Sequence, residues 1–310
     1  MQLLRDLQLH GRMTETGSCL VCGSTDLAVL FSAKDHLVSG KNFVLKRCSA
    51  CGFTFTADPP DEKDIAKFYL SEDYISHSDK KQSLTDRVYH LARNYMLRKK
   101  YNLVRKVSGR KTGTLVDIGS GTGYFADYMN GNGWNVKGIE LSEHAREYSI
   151  SRFSLTVVSP SEVTEIKDGS VDCVTLWHVL EHLYDPVMWL KEIRRILKDD
   201  GKCMIALPNI KSADVEWFGN EWAALDVPRH LWHFSSDTLP SFINVHGFIC
   251  EKVIPMPLDI YYISTLSYKN RGCKLPLVRG MITGLFLTVR SLAKKERASS
   301  LIYVISKQRG

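Results

Sequence analysis

Residues 115–124 read Leu115-Val116-Asp117-Ile118-Gly119-Ser120-Gly121-Thr122-Gly123-Tyr124. A short apolar run ends in an aspartate, and three glycines follow at alternate positions. Tyr124-Phe125-Ala126-Asp127-Tyr128-Met129 then begins a helical pattern. Strand, glycine turn and helix in this order describe a nucleotide-type binding turn. Glycine suits such a turn because the backbone must reverse tightly and admit a ligand with no Cβ in the way.

Outward from this turn, short apolar runs alternate with helical ones. Strands are expected at 114–118, 135–139, 155–158, 171–176 and 202–207, and helices at 122–132, 142–152 and 185–198. A helix at 235–246 ends at Gly247, a strand follows at 248–255, and a last strand covers 301–305. The rhythm predicts an α/β fold: a doubly wound, mostly parallel, seven-stranded Rossmann-like sheet with helices on both faces. Two insertions, 208–234 and 257–298, interrupt it, and there is no internal repeat.

Two Cys-x-x-Cys-Gly runs precede this core, Cys19-Leu20-Val21-Cys22-Gly23 and Cys48-Ser49-Ala50-Cys51-Gly52. Each is a tight turn that aims two thiolates at one centre, and two such knuckles supply the four sulfurs of a tetrahedral zinc site. The competing readings are incidental thiols or a redox pair. Four sulfurs leave no open position for water, so the zinc expected at Cys19, Cys22, Cys48 and Cys51 is structural. Phe43-Val44-Leu45 and Phe53-Thr54-Phe55 have strand character. Four segments are therefore expected: an N-terminal stretch at 1–16, a zinc-ribbon-like unit at 17–58, a helical lid or linker at 59–108 after the Asp58-Pro59-Pro60-Asp61 break, and the large domain at 109–310. The aromatic run from Phe68 to His77 is a candidate lid. The basic residues interleaved through 93–106 read as the solvated face of a pair of packed helices.

Composition sets further bounds. The chain has 310 residues and the apolar and charged fractions of an ordinary globular protein. Met1 to His10 shows no basic start followed by an apolar run, and no window of about 18 apolar residues exists. A cytoplasmic setting is expected, in which paired cysteines suggest metal rather than disulfides. The net charge of +7 is uneven: from Tyr261 to Gly310 there are ten Lys and Arg and one acid, Glu296. The basic character belongs to this tail.

The glycine turn alone admits two cofactors. Gly121-Thr122-Gly123-Tyr124-Phe125-Ala126 fits the nicotinamide fingerprint G-x-G-x-x-A. Glu140, 17 residues after Gly123 at the end of the second strand, suits a ribose of either ligand. However, Asp117-Ile118-Gly119 begins a D-x-G-x-G-x-G run that resembles motif I of the class I S-adenosylmethionine-dependent methyltransferases. Asp172-Cys173-Val174-Thr175-Leu176-Trp177-His178-Val179-Leu180-Glu181-His182-Leu183 is similar to the fourth-strand region of the same family, and 190–202 to its next helix, turn and strand. The resemblance extends to the bacterial ubiquinone-biosynthesis and sugar C-methyltransferase group. It implies that Asp117, Gly119, Ser120 and Gly121 hold the methionine end of S-adenosylmethionine, with Gly123, Tyr124 and Leu141 also in the cofactor site. It also implies that Glu140 holds the ribose, that Ser159 to Glu162 flank the adenine, and that Trp177 and His178 line the floor near the sulfonium.

Methyl transfer needs alignment and, for some acceptors, a base. His178, Glu181 and His182 share one face at i, i+3 and i+4. Structural pairing, a base at His178 or His182, and a metal site are the competing readings. The ubiquinone-biosynthesis enzymes have E-x-x-E-H here, and His178 departs from that motif. The insertion carries Trp217-Phe218-Gly219-Asn220-Glu221-Trp222 and Asp226-Val227-Pro228-Arg229-His230-Leu231-Trp232-His233-Phe234-Ser235. Such aromatic and polar residues line small-molecule pockets. The second run resembles a D-x-P-R-H-L-x-x-F-S stretch of bacterial methyltransferases that carry an N-terminal zinc unit. His230 and His233 are further candidates for the base, and the alternative is that Pro228-Arg229-His230 pins the insertion to the core.

The function expected is methylation at O or C of a small-molecule acceptor, a sugar, lipid or aromatic metabolite. Two alternatives stand beside it: an RNA methyltransferase using the zinc unit and basic tail, and a non-catalytic cofactor-binding scaffold. Against RNA, no N/D-P-P-Y stretch follows strand four, and Lys34, Lys41, Lys46 and Arg47 are scattered. The apolar run 277–295 with its cationic ends either packs in the protein or lies on the inner membrane surface.

Overall fold

The computed structural model describes residues 17–69, 84–256, 258–291 and 294–308. The segment 1–16, and all of the candidate lid except Phe68 and Tyr69, lie outside the described residues.

The N-terminal unit is an antiparallel meander of β1 (Leu27–Lys34), β2 (Asn42–Cys48) and β3 (Thr54–Thr56). Among the described residues, a 25-residue helix, α1 (Leu84–Ser108), leads to the large domain. There β4 (Thr114–Ile118), α2 (Tyr124–Gly131), β5 (Asn135–Ile139), α3 (Glu143–Phe153), β6 (Thr156–Val158), β7 (Val171–Trp177), α4 (Pro186–Ile196) and β8 (Leu197–Pro208) alternate as expected. The first insertion holds α5 (Ala213–Phe218) and β9 (Trp232–His233). Then come α6 (Thr238–Asn244), β10 (Phe248–Met256), a hairpin of α7 (Asp259–Asn270) and α8 (Pro276–Ser291), and β11 (Ser300–Lys307).

Local sequence explains these elements. In α4, Asp185 caps the first turn by accepting from the Met188 amide at 2.8 Å, and Pro186 occupies the first helical position. Trp189, Leu190, Ile193 and Ile196 form its buried face, and Arg194 and Arg195 sit where the helix dipole favours cations. β8 starts at Leu197 rather than 202. Its pairing with β7 runs Val171↔Leu197 and then Cys173↔Lys202, so the irregularity absorbs the Asp199-Asp200-Gly201 turn signal inside the strand.

The seven-stranded sheet has the order β10-β11-β8-β7-β4-β5-β6, and β11 runs antiparallel to both of its neighbours. From β4 the chain builds outward to β5 and β6, then returns to β7 on the other side. The crevice between the carboxyl ends of β4 and β7 is therefore a topological switch point, where open α/β sheets bind ligands.

The N-terminal unit does not close on itself. β3 pairs with β9 of the insertion, Thr54 opposite His233 and Phe55 opposite Trp232. Phe53 packs 5.2 Å from Phe234 and 6.2 Å from Trp232, ring centre to ring centre. Cys19, Cys48, Phe53 and Phe55 belong to the same buried cluster as Leu176 and Ile205 of the large sheet. Burying a phenylalanine such as Phe53 contributes about 1.5–3 kcal/mol, so this shared core is a substantial part of what holds the two regions together.

Candidate functional site

The glycine turn lies at the switch point. The Gly119 and Ser120 amides donate to the Ile139 carbonyl at 2.7 and 3.1 Å, tying the turn to β5. Gly119 has φ +69°, and a Cβ there would sit 2.4 Å from Val179 Cγ2, so this position admits only glycine. Gly121, at φ +55°, faces open space: nothing lies within 4 Å of where its Cβ would be. The Glu140 carboxylate accepts from the Gly121 amide at 2.8 Å and from the Ser142 amide at 2.9 Å. It sits at the mouth of the crevice with Leu141, Thr122 and Tyr124. Pro160, Ser161, Val163 and Thr164 form the far wall.

Asp117 is buried beneath the turn and accepts from Thr175 Oγ1 at 2.6 Å. Burial outweighs that bond and the nearby Lys100, and raises its carboxyl to about 7. Lys100, from α1, stands with Nζ 4.3 Å from the Trp177 ring centre. Burial pushes its ammonium down to about 8. The Arg93 guanidinium lies 3.8 Å from the Tyr124 ring centre, so α1 also reaches the turn.

Beyond the end of β7 the cleft continues past His178, His182 and His230. His178 is held at φ +58°, rare for a side chain with a Cβ. Its Nδ1 lies 3.5 Å from Glu181 and its Nε2 3.3 Å from Asp259. Burial opposes its charge, but the two carboxylates prevail and raise it to about 9. His178 is thus an imidazolium at neutral pH, which suits a clamp rather than a base.

His182 and His230 meet edge to face with ring centres 4.5 Å apart. His230 Nδ1 is 2.9 Å from the Ala224 carbonyl, which can only accept, so the proton sits on Nδ1 and Nε2 keeps its lone pair. Burial, reinforced by His182, drives the His230 pKa well below its ordinary value despite Asp226. His182 Nδ1 is likewise 3.0 Å from the Arg229 carbonyl, and also 3.0 Å from the Tyr69 hydroxyl.

Arg229 is the hub of the insertion. Its side chain is 1% exposed and donates to Asp226 at 2.7 Å, to Asp35 of the N-terminal unit at 3.0 Å and to the Phe68 carbonyl at 2.9 Å. Burial opposes ionisation of both carboxylates. Even so, Ser39 and Arg229 hold Asp35 below the ordinary range, and the His230 imidazole and Arg229 do the same for Asp226. Thr56 of β3 donates to the His230 carbonyl at 2.7 Å and accepts from His233 Nε2 at 3.0 Å. Strand β3 of the N-terminal unit therefore fixes the backbone of the candidate base.

Two groups could hold a metal. The sulfurs of Cys19, Cys22, Cys48 and Cys51 all lie within 4.8 Å of one another, with Cys19–Cys51 at 3.5 Å and Cys22–Cys48 at 3.6 Å. Tetrahedral zinc at its usual bond length sets sulfurs about 3.8 Å apart, so the donor set fits. The ligand atoms of Glu181, His182 and His230 also lie within 4.8 Å. Both Glu181 oxygens are buried without a hydrogen-bond partner among the described residues. This trio replaces His178 of the motif-based grouping with His230.

The sequence-derived residues thus divide. Gly119, Gly121, Tyr124, Glu140, Leu141, His178, His182 and His230 line one continuous cleft. Asp117, Ser120 and Gly123 support the turn from behind. Ser159 donates to the Glu162 carboxylate from its amide at 3.0 Å and from its hydroxyl at 2.9 Å. The Trp177 ring packs 5.4 Å from Phe125, and Trp177 is not among the residues lining the cleft. His233 is buried behind the cleft, and burial holds its pKa at about 3. Asp35 and Asp259 were not anticipated, whereas Tyr69 belongs to the aromatic run expected as a candidate lid. A Pro-Arg pair flanked by an acid hinted at a buried ion pair, but nothing local to Asp35 marked its partner, 194 residues away.

A family described as a methyltransferase domain matches residues 89–253. A probable S-adenosylmethionine-dependent methyltransferase of Mycobacterium tuberculosis is 29% identical over 159 residues, 50% of this chain and 56% of that protein. A ubiquinone biosynthesis O-methyltransferase of Burkholderia vietnamiensis is 28% identical over 144 residues, 43% of this chain and 61% of that one. The chain spans only about half the length of these curated relatives. Geranyl diphosphate C-methyltransferase from Streptomyces coelicolor A3(2) superposes with a TM-score of 0.50 at 14% identity, covering 74% of this chain and 88% of that one, a likeness of fold. The family match covers more than half of the sequence and takes in the glycine turn, Glu140 and β4 to β8 of the large sheet; the chain belongs to the methyltransferase-domain family and carries a class I S-adenosylmethionine-dependent core.

Proposed function

We propose that this protein transfers a methyl group from S-adenosylmethionine to an oxygen or carbon nucleophile of a small-molecule acceptor, with His230 as the base. The observation that carries the reading is the continuity of the cleft, from Gly121 and Glu140 past His178 to the His182–His230 pair. When bound, S-adenosylmethionine supplies a methyl carbon already activated by its sulfonium. Gly119, Gly121 and Glu140 orient the donor, and the acceptor faces the histidines. His230 Nε2, with its lone pair free and Nδ1–H held by Ala224, accepts the acceptor's proton. Asp226 Oδ2, 3.9 Å from Nε2, stabilises the imidazolium that forms. Zinc on the four cysteines supports β3 and hence the His230 backbone. It takes no part in the chemistry, since four sulfurs close its coordination.

The buried Glu181 carboxylate, which has His178 Nδ1 at 3.5 Å but no hydrogen bond among the described residues, favours one variant of this reading. A divalent cation on Glu181, His182 and His230 would polarise the acceptor oxygen instead of leaving the proton to His230. Calorimetric titration of the zinc-loaded protein with Mg²⁺ or Mn²⁺ separates the two.

The experiment for the main reading is incubation with methyl-labelled S-adenosylmethionine and fractionated extracts, followed by mass spectrometry. A metabolite gaining one methyl, with turnover lost in His230→Asn while donor binding is kept, is the expected result. Absence of calorimetric donor binding would sink the proposal. Labelling confined to RNA, with salt-dependent affinity, would move the protein to the RNA-modifying alternative.

A further inference from the structure

Helix α8 presents its faces in the reverse of the usual arrangement. Its small residues pack inward: an added Cβ at Gly280 would lie 2.3 Å from Thr265 Oγ1, and one at Gly284 would lie 2.7 Å from Tyr261 Cδ1. Thr283 meets the Tyr268 hydroxyl at 2.9 Å, and Leu287 is buried. The large apolar side chains point out. Leu277, Met281, Ile282, Leu285, Phe286 and Val289 are each 49–65% exposed and follow one helical face. An apolar surface this continuous marks a site of contact with something else.

Charge identifies the occupant. Residues 260–295 contain seven Lys and Arg and no Asp or Glu. Arg271, Lys274 and Arg279 stand exposed at one end of the apolar face, and Arg290, Lys294 and Lys295 at the other. A second copy of this chain seated by a two-fold axis would bring like charges together. Among the described residues no helix is long and apolar enough to cross a membrane. An apolar face bracketed by cations matches a surface whose interior is hydrocarbon and whose headgroups are anionic.

We propose that the α7–α8 hairpin seats the protein on an anionic lipid bilayer, with the outward face of α8 in the acyl boundary and the flanking cations among the headgroups. The hairpin also walls the cleft, through Tyr262, Ile263 and Leu266 of α7. A docked molecule therefore opens its cleft beside the bilayer. The inference stands apart from the identity of the acceptor and from catalysis.

The test uses the full chain and an intrinsic probe. Trp217 is 44% exposed with its ring centre 5.9 Å from Phe286, whereas the other five tryptophans are buried or half-buried. Flotation is measured with vesicles of phosphatidylcholine alone and of phosphatidylcholine doped with phosphatidylglycerol. Flotation with the anionic vesicles and a blue shift of Trp217 emission, absent in Trp217→Phe, are expected. Replacing Lys294 and Lys295 by serine is expected to weaken binding by at least about tenfold. Ile282→Glu with Phe286→Glu is expected to abolish it, while circular dichroism and S-adenosylmethionine binding stay unchanged. Failure to float with either vesicle, or equal binding to both, overturns the proposal. So does a dimer in sedimentation equilibrium that Phe286→Glu dissolves, because the face would then belong to self-association.

Discussion

Replacing Arg229 by leucine probes the junction between the N-terminal unit and the insertion. In the wild type the guanidinium is 1% exposed and bonds Asp35, Asp226 and the Phe68 carbonyl. Leucine fills much of the volume but leaves two carboxylates sequestered without their cation. Removing one partner of a buried ion pair costs about 3–5 kcal/mol, a large share of a net stability of about 5–15 kcal/mol. The thermal midpoint should fall by roughly 10 °C. The sign of the pH dependence follows from the carboxylates. In the wild type both are held below the ordinary range, so they contribute stability that is present above their unfolded pKa and lost as pH falls through the folded one. In the variant, burial acts unopposed by the guanidinium and pushes them upward. The deficit of the variant is therefore largest at neutral pH and shrinks on acidification, by at most about 1.4 kcal/mol per pH unit for each proton taken up. Urea unfolding of both proteins, followed by far-ultraviolet circular dichroism across the acid range, measures the difference. Adding Asp35→Asn to Arg229→Leu should recover part of the loss. A deficit independent of pH, with no recovery from Asp35→Asn, would show that lost packing and not stranded charge is responsible.

Gly119→Ala places a Cβ 2.4 Å from Val179 Cγ2 at φ +69°, so calorimetry should find S-adenosylmethionine binding lost and stability reduced by about 1–3 kcal/mol. Cys48→Ser should abolish zinc retention in a metal assay and lower turnover through β3 and His230, leaving the affinity for S-adenosylmethionine near that of the wild type. His178 is raised to about 9, so its stabilisation is complete below its ordinary pKa of 6.5 and disappears as pH rises through 9; melting curves of His178→Gln should converge with wild type over that window. His230 is neutral throughout the physiological range, so its loss in His230→Asn should lower turnover about 10²–10⁴-fold at neutral pH.

The core of the fold could be read from local pattern because local pattern produces it. β4 and β5 begin and end at the bounds expected from the sequence, and α4 after them is both amphipathic and capped by the residue next to it. The cofactor turn was equally readable, since glycine is demanded by backbone geometry at the turn itself. What escaped was long-range. β1 carries exposed Val29 and Leu30 and no clean alternation, so its pairing with β2 had no local signature. The two-residue β9 exists only because β3 offers it an edge. Three histidines of similar sequence setting took different roles, set by a carboxylate pair at His178, a carbonyl at His230 and a threonine at His233. Glu181 and Ala224 are close in sequence to the histidines they meet, but Asp259 of α7 and Thr56 of the N-terminal unit are far from theirs.

The β3–β9 pairing has a consequence for synthesis on the ribosome. The cysteine turns and their three strands emerge first, yet their sheet lacks its fourth strand until residues 232–233 have been made. Phe53 and Phe55 wait equally long for Trp232 and Phe234. Until then the nascent cysteine unit carries an open strand edge and uncovered aromatic rings, a surface prone to wrong pairing. Metal capture at the cysteines can secure the knuckles early, whereas the backbone that presents His230 is settled only when the two ends of this long loop meet.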